Sequence, residues 1–352
     1  MLKRIALIEG VSKYSIYARD TASMLLIKEE GLTLWDRESR TEQLIHPGPI
    51  YTCFSSGNLI LLQEENGSDI LIYKEGKFYR TISGTYYLWR RCQYKNGFIT
   101  SGENEKGRAK FSFDLHDLSI SEVKLNDVPV LAVGNGDFVY NKGRKIFCVS
   151  IDGDLRWSFG IAELGKWESN GEVKLGSTYM LHYHKKIKML IASITAFKII
   201  SIAVETGAVM WSATITGGKN MLFIYDNKTH VLTNGRYPAY HVLKTETGKI
   251  ISSVNLRESW KSFAIPKTHD GKLTRGFWNM TRHAVDEKFM YVTSRYDRVL
   301  GVFDKHTAEL VQLLPLEGAK DSIPARHAPI VTNDHVYQLD GDKQLHVFKK
   351  NQ

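Results

Sequence analysis

The stretch that decides the fold is Ile199 to Ile215, IISIAVETGAVMWSATI. Its first half, Ile199 to Val204, is apolar and rich in β-branched residues, which favour strands. Glu205-Thr206-Gly207 is typical of a tight turn, because glycine adopts positive φ at little cost. The second half alternates in polarity and carries Trp211, four residues after the glycine. The stretch therefore predicts a strand, a turn and a second strand.

Similar apolar runs with a period of two continue along the chain, separated by Gly, Asn, Asp and Lys, and they predict an all-β protein. The runs fall into eight groups over 352 residues, or roughly 44 residues each, which suits the four-stranded blade of a β-propeller. Seven blades is the alternative count. The last group has only three runs, and the N-terminal run Lys3 to Ile8 belongs to no group. We therefore expect a single propeller domain over residues 1–352, closed by the N-terminal strand.

The turns between the third and fourth runs share a second feature. Trp157 follows Gly153 at the same spacing as Trp211 follows Gly207. These turns resemble the blade signature of the quinoprotein-like β-propellers, in which a Thr-Gly turn and a tryptophan mark each blade. The resemblance implies that the tryptophan packs on the neighbouring blade. Quinoprotein dehydrogenases of this fold carry adjacent cysteines and a calcium site, and this sequence has neither pattern, so we expect no cofactor.

Charge and cysteine content narrow the class of partner and the compartment. The net charge of +9 and the pI of about 9.2 favour an acidic or anionic partner. Cys53, Cys92 and Cys148 are far apart, which excludes a disulfide framework and a CxxC metal pair and favours the cytoplasm. The N-terminus has too short an apolar run for a signal peptide. No run of about 18 apolar residues occurs, so we expect no association with a membrane.

Two identical tripeptides, Arg282-His283-Ala284 and Arg326-His327-Ala328, stand 44 residues apart. We expect both where the loop from one blade enters the first strand of the next, at the mouth of the central channel. Positions that we interpret as equivalent, or as part of a loop on the same face, complete the predicted binding set: His46, Trp89, Arg90, Arg91, Trp167 and Trp278.

Arginine binds carboxylates and phosphates in bidentate geometry, and tryptophan offers a flat stacking face. The predicted function is a non-catalytic binding scaffold that presents this Arg/His/Trp-rich channel face to a protein partner, as an assembly factor or an inhibitor of the immunity-protein type. One alternative is an enzyme acting on a small anionic substrate in the channel, with His283, His327 or His46 as acid or base. The other is a nucleic-acid-binding propeller, suggested by the net charge.

A pair of histidines raises the question of a metal. His182 and His184 alternate in a predicted strand and so share one face. That spacing suits zinc or copper, but no third ligand is identifiable in the sequence. We therefore predict no metal site and interpret the pair as two histidines on a sheet face.

Overall fold

The computed structural model describes residues 1–16, 23–169, 171–195, 197–215, 219–234, 238–256, 280–325 and 327–351. Their strands form eight four-stranded antiparallel sheets and one two-stranded hairpin. The predicted all-β fold, an eight-bladed β-propeller of four-stranded blades, is thereby confirmed. We number the blades in chain order.

The chain divides into two compact units, of which one comprises Gly10–Asn141 and Phe147–Trp157. After the N-terminal strand β1 (Leu2–Ile8), this unit begins with blade 1, which contains β2 (Lys13–Ile16), β3 (Ser23–Lys28), β4 (Gly31–Asp36) and β5 (Glu42–Pro47). Blade 2 contains β6 (Ile50–Ser56), β7 (Leu59–Glu64), β8 (Ile70–Lys74) and β9 (Lys77–Ile82). Blade 3 contains β10 (Thr85–Tyr94), β11 (Gly97–Asn104), β12 (Gly107–Asp114) and β13 (Ile120–Val123). Blade 4 contains β14 (Leu131–Ala132), β15 (Phe138–Lys142), β16 (Lys145–Val149) and β17 (Leu155–Gly160).

The other unit comprises Met1–Glu9, Lys142–Ile146 and Ser158–Gln352. A hairpin of β18 (Lys166–Ser169) and β19 (Glu172–Leu175) precedes blade 5, which contains β20 (Thr178–His184), β21 (Met189–Ile194), β22 (Lys198–Ala203) and β23 (Val209–Thr214). Blade 6 contains β24 (Lys219–Tyr225), β25 (Lys228–Asn234), β26 (Ala239–Lys244) and β27 (Ile250–Asn255). Blade 7 contains β28 (Ala284–Val285), β29 (Phe289–Ser294), β30 (Val299–Asp304) and β31 (Leu310–Pro315). Blade 8 contains β32 (Ile330–Val331), β33 (His335–Leu339) and β34 (Leu345–Lys350). The expectation of a single domain over residues 1–352 stays a prediction.

The closing strand is where the sequence predicted it. β1 pairs with β34, with Leu2 opposite Lys350, and supplies the fourth strand of blade 8. The side-chain amide of Gln312, in blade 7, accepts a hydrogen bond from the Leu2 N–H at 2.7 Å and donates one to the Leu2 carbonyl at 2.8 Å. Arg4, also in β1, forms an ion pair with Glu317, which follows β31.

The core lies between neighbouring blades. In one such layer, Ile191 and Ile199 of blade 5 pack against Leu222, Val231 and Leu243 of blade 6. The middle strands β21 and β22 are buried along most of their length, which explains why their sequences are almost continuously apolar.

The fourth strand is the exposed edge of several blades. Its pairing with the third strand is interrupted by a one-residue bulge at Tyr79, Met210 and Ile251 in blades 2, 5 and 6. These three side chains are 55%, 53% and 55% exposed. A one-residue bulge with an exposed side chain is therefore a repeated feature of the fourth strands.

Candidate functional site

A bulge in β10 presents an exposed tryptophan. The pairing of β10 with β11 jumps from Tyr87, opposite Ser101, to Arg91, opposite Thr100. Residues 88–90, here called the Trp89 bulge, are therefore looped out of the ladder. Trp89 is 55% exposed, and the Arg90 side chain is 47% exposed. Bulges of this kind re-aim side chains and occur often next to functional sites.

Hydrogen bonds from neighbouring strands hold the Trp89 bulge. The hydroxyl of Thr100 lies 2.8 Å from the Tyr87 carbonyl and 2.9 Å from the Arg90 carbonyl. The Leu88 N–H donates to the side chain of Gln63 at 3.2 Å, and the Leu88 side chain is fully buried. The bulge is thus fixed on both sides of Trp89, so the backbone from which the exposed indole projects has a defined position.

The two arginines beside Trp89 have different environments. Arg90 forms an ion pair with Asp127 at 3.0 Å. Arg91 donates to the Leu88 carbonyl at 2.6 Å, and its guanidinium lies 4.5 Å from the centre of the Phe54 ring. Arg91 therefore supports the bulge, while Arg90 remains half-exposed beside Trp89.

His46 lies at the end of β5, where the chain passes from blade 1 to blade 2. Its ring is 9% exposed. Nδ1 lies 2.6 Å from the Tyr73 hydroxyl, and Nε2 lies 3.0 Å from the Glu64 carboxylate. Both ring nitrogens thus have protein partners, so this imidazole is an internal connection between blades 1 and 2 and not a group that receives a ligand.

Arg282 and His283 do precede the first strand of blade 7, as expected. Arg282 is exposed, and its backbone N–H donates to the Ala325 carbonyl at 3.3 Å, so the segments before blades 7 and 8 lie together. His283 packs against Phe223, with the ring centres 5.0 Å apart. Burial, together with the charges of His182 and Arg282, lowers the pKa of His283 to about 3. The imidazole is neutral at pH 7 and contributes no positive charge to the predicted surface.

The two Arg-His-Ala tripeptides occupy different registers. Ala284 pairs with Tyr291, the third residue of β29, whereas Ile330 pairs with Tyr337, the third residue of β33. The equivalent positions are thus 46 residues apart, two more than the spacing of the tripeptides. His327 is half-buried, and its Nδ1 lies 3.2 Å from the Asp340 carbonyl.

The remaining residues of the predicted binding set are Trp167, Trp278 and Arg326. Trp167 lies in β18, opposite Lys174, and so belongs to the hairpin before blade 5 and not to the first strand of a blade. Trp278 and Arg326 lie outside the described residues.

A groove of about 1260 Å³ lies in blades 7 and 8. Phe289 and Val302 contribute to its apolar lining, and Asp286 and Lys350 lie among its polar groups. The Lys350 ammonium and the Tyr291 hydroxyl donate to Asp286 at 2.5 and 2.7 Å. Burial raises the pKa of Asp286, but these hydrogen bonds outweigh it and the net pKa is lowered. The residues that form the groove are far apart in the sequence, and no local pattern predicts it.

The histidine pair of β20 is partly buried. Burial lowers the pKa of His182, partly offset by a hydrogen bond to the Leu222 backbone, and its Nε2 has no partner among the described residues. Among all the residues that the structure describes, no group of three or more His, Cys, Asp or Glu side chains is arranged to hold a metal ion.

Comparisons with known proteins identify the fold. No family model matches the chain, and no curated protein matches it. Solved structures do, including BamB from Moraxella catarrhalis, with a TM-score of 0.57 and 11% identity over 99% of this chain and 100% of that one. The C-terminal WD40 domain of Sif2 has a TM-score of 0.69 and 11% identity over 100% of this chain and 99% of that one. Sqt1 from Saccharomyces cerevisiae has a TM-score of 0.62 and 10% identity over 99% of each chain.

Identities of 10–11% show a shared propeller fold and nothing more specific. Because a WD40 domain is among these structures, the likeness does not single out the quinoprotein-like family. Within the described residues, no helix is long and apolar enough to cross a membrane.

Proposed function

We propose that this chain is a non-catalytic scaffold that binds an acidic protein partner, with Trp89 and Arg90 at the centre of the contact. The observation that carries the proposal is the exposed indole of Trp89 on a bulge held by Thr100 and Gln63. Tryptophan, tyrosine and arginine are the residue types most enriched among side chains that dominate binding energy. A surface fixed before binding also loses less conformational entropy on association.

Arg282, in the other compact unit, is proposed as a second and separate contact, since it is exposed and its backbone is tied to Ala325. We do not include His46 or Arg91 in the contact, because hydrogen bonds and packing within the protein occupy their polar groups. The cytoplasm remains our proposed compartment, since a reducing environment suits thiols such as those of Cys92 and Cys148, which form no disulfide.

Affinity capture with nuclease-treated lysate of the native cell, quantified by mass spectrometry, tests the proposal. We expect Trp89→Ala and Arg90→Ala to reduce recovery of the captured protein at least about tenfold, as loss of a dominant contact does. Tyr79→Ala is the matched control, because Tyr79 is also 55% exposed and lies in the same compact unit. Arg282→Ala tests the second contact.

Equal recovery with Trp89→Ala and Tyr79→Ala would contradict the scaffold proposal. Recovery that disappears with nuclease would instead support the nucleic-acid alternative. That alternative also requires that binding of a 20-nucleotide oligonucleotide weakens steeply as salt increases.

A further inference from the structure

A largely buried lysine lies close to the Trp89 bulge. Lys110, in β12, is only 8% exposed, and it forms none of the ion pairs found among the described residues. Burial lowers the pKa of Lys110, Asp127 raises it, and Arg90 and Arg108 lower it further. The aliphatic stem of Lys110 is buried while its ammonium is not, so the charge can take an anionic partner from outside the fold.

The register shows which way Lys110 faces. In β12, Lys110 and Ser112 are on one face of the sheet, because side chains alternate along a strand. Ser112 lies opposite Ile99, and Ile99 packs in a core cluster with Val128 and Tyr140. Lys110 therefore lies on the face of blade 3 that packs against Tyr140 and the segment around Val128.

Tyr140 adds a hydrogen-bond donor on this face. The residue is 7% exposed, and its hydroxyl donates no hydrogen bond to any of the described residues. Burial raises the pKa of Tyr140 and the Asp127 carboxylate raises it further, against a smaller lowering by the Asp127 backbone. The phenol is therefore protonated at neutral pH. A buried hydroxyl without an acceptor is unfavourable, typically by more than the gain from one ordinary hydrogen bond.

Asp127 does not satisfy these groups. Its Oδ1 atom lies 3.0 Å from the Arg90 guanidinium and accepts the Val128 N–H at 2.8 Å. Lys110, Arg90 and Arg108 contribute three positive charges, and the single negative charge of Asp127 does not balance them. An added carboxylate would reduce this excess, and it would give Lys110 a counter-ion and Tyr140 an acceptor.

We propose that Lys110 and Tyr140 form a carboxylate-binding pocket beside the Trp89 bulge, which receives a Glu or Asp side chain of the protein partner. This inference rests on the scaffold function and names the chemistry that the scaffold recognises. The exposed indole of Trp89 covers the apolar part of the same partner segment.

The test is an NMR titration of protein labelled with 13C at the lysine ε-carbon, with Lys110→Met used to assign the Lys110 resonance. The probes are acetyl-tetraglutamate amide, acetyl-tetraglutamine amide, sodium acetate and inorganic phosphate. We expect the tetraglutamate peptide to shift the Lys110 resonance saturably. Tyr140→Phe, which removes one hydrogen bond, weakens that binding by about 5- to 10-fold. Lys124→Met, at an exposed lysine of the same unit, leaves the titration of the Lys110 resonance unchanged.

Four results would overturn the pocket: no shift with tetraglutamate, an equal shift with tetraglutamine, tighter binding of phosphate than of tetraglutamate, or acetate binding as tightly as the peptide. Lys110→Arg, which also removes the lysine resonance but keeps the charge, assigns the resonance if Lys110→Met fails to fold. The titration and the capture experiment fail separately. If Trp89→Ala abolishes capture but tetraglutamate does not bind, the scaffold stands without the pocket. If tetraglutamate binds but Trp89→Ala does not reduce recovery of the captured protein, the pocket stands without the scaffold.

Discussion

The indole of Trp211 lies directly against Gly248. A Cβ atom added at Gly248 would lie 2.4 Å from Cε3 of the indole, and the indole N–H donates to the Thr245 carbonyl at 2.8 Å. Trp211 belongs to the fourth strand of blade 5, and Gly248 to the turn before the fourth strand of blade 6. The expectation that Trp211 packs on the neighbouring blade is confirmed, and the glycine is required by contact as well as by its φ of +69°.

Trp211→Ala should lower the free energy of unfolding by about 3–5 kcal/mol, because it removes a large buried side chain and leaves a cavity. Urea unfolding followed by circular dichroism measures the loss. Met210→Ala is the control, because the Met210 side chain, next to Trp211, is 53% exposed. This variant should change the free energy of unfolding by about 0.5 kcal/mol or less. A loss below about 1 kcal/mol for Trp211→Ala would show that the indole is not a core group.

Gly248→Ala should destabilise by about 2–4 kcal/mol, since left-handed strain and overpacking against Trp211 add. Gly57→Ala separates these causes, because Gly57 also has positive φ (+56°) but open space around it, so only about 1–2 kcal/mol of strain is expected. The same urea measurement compares the two variants. If both lose the same amount, the contact with Trp211 makes no contribution.

The sequence predicted the strands, the blade count and the closing strand, because each depends on local alternation and on a run left without a group. The candidate site depended on contacts that local patterns do not contain. Histidine is a residue type often found at exposed binding sites. In His46, however, both ring nitrogens are hydrogen-bonded to Glu64 and Tyr73, which are distant in sequence. The tripeptides at Arg282 and Arg326 match in spacing by sequence, yet strand pairing places them two residues apart in register.

The residue type of Trp89 marks it in the sequence as a candidate, but nothing in the sequence shows why its side chain is exposed. The bulge depends on Thr100, in the neighbouring strand β11. Its hydroxyl contacts the carbonyls of Tyr87 and Arg90. A threonine at that position is ordinary in a strand, so nothing in the sequence marks it. Register and packing between strands likewise place Lys110 on the face of blade 3 that packs against Tyr140.

Thr100→Val should release the Trp89 bulge, because the hydroxyl that contacts the Tyr87 and Arg90 carbonyls is removed. We expect a loss of about 1–2 kcal/mol in unfolding free energy, faster hydrogen exchange at residues 88–91 and weaker capture of the partner. Thr100→Ser keeps the hydroxyl and should restore all three measurements. Unchanged exchange in Thr100→Val would show that other contacts fix the bulge.

His230 should make stability depend on pH. The Tyr240 hydroxyl donates to the Lys305 carbonyl at 2.7 Å, so it accepts from His230 Nδ1 at 2.6 Å, which requires a proton on Nδ1. Burial lowers the pKa of His230 from 6.5 to about 4; a hydrogen bond with the Tyr225 backbone opposes this shift, and nearby positive charges add to it. Between those values the unfolded chain binds the proton and the folded one does not, so stability falls as the pH drops from about 6.5 to 4, by up to about 3 kcal/mol.

An NMR titration of the His230 ring measures the pKa directly, and urea unfolding at pH 4.5 and 7.5 measures its effect on stability. The His230→Gln variant removes the titrating group, so its stability should change less between the two pH values than that of the wild type. A midpoint above pH 6 for His230 would contradict the expected burial effect.

The pairing of Gln312 with Leu2 has a consequence for self-association. An edge strand normally offers its outward N–H and C=O groups to any extended segment, which is the first step of strand addition and aggregation. At Leu2 both groups are already bound by the amide of one side chain. Gln312 thus imitates one residue of a missing neighbouring strand, and it makes the end of the last blade a poor template for growth by another chain.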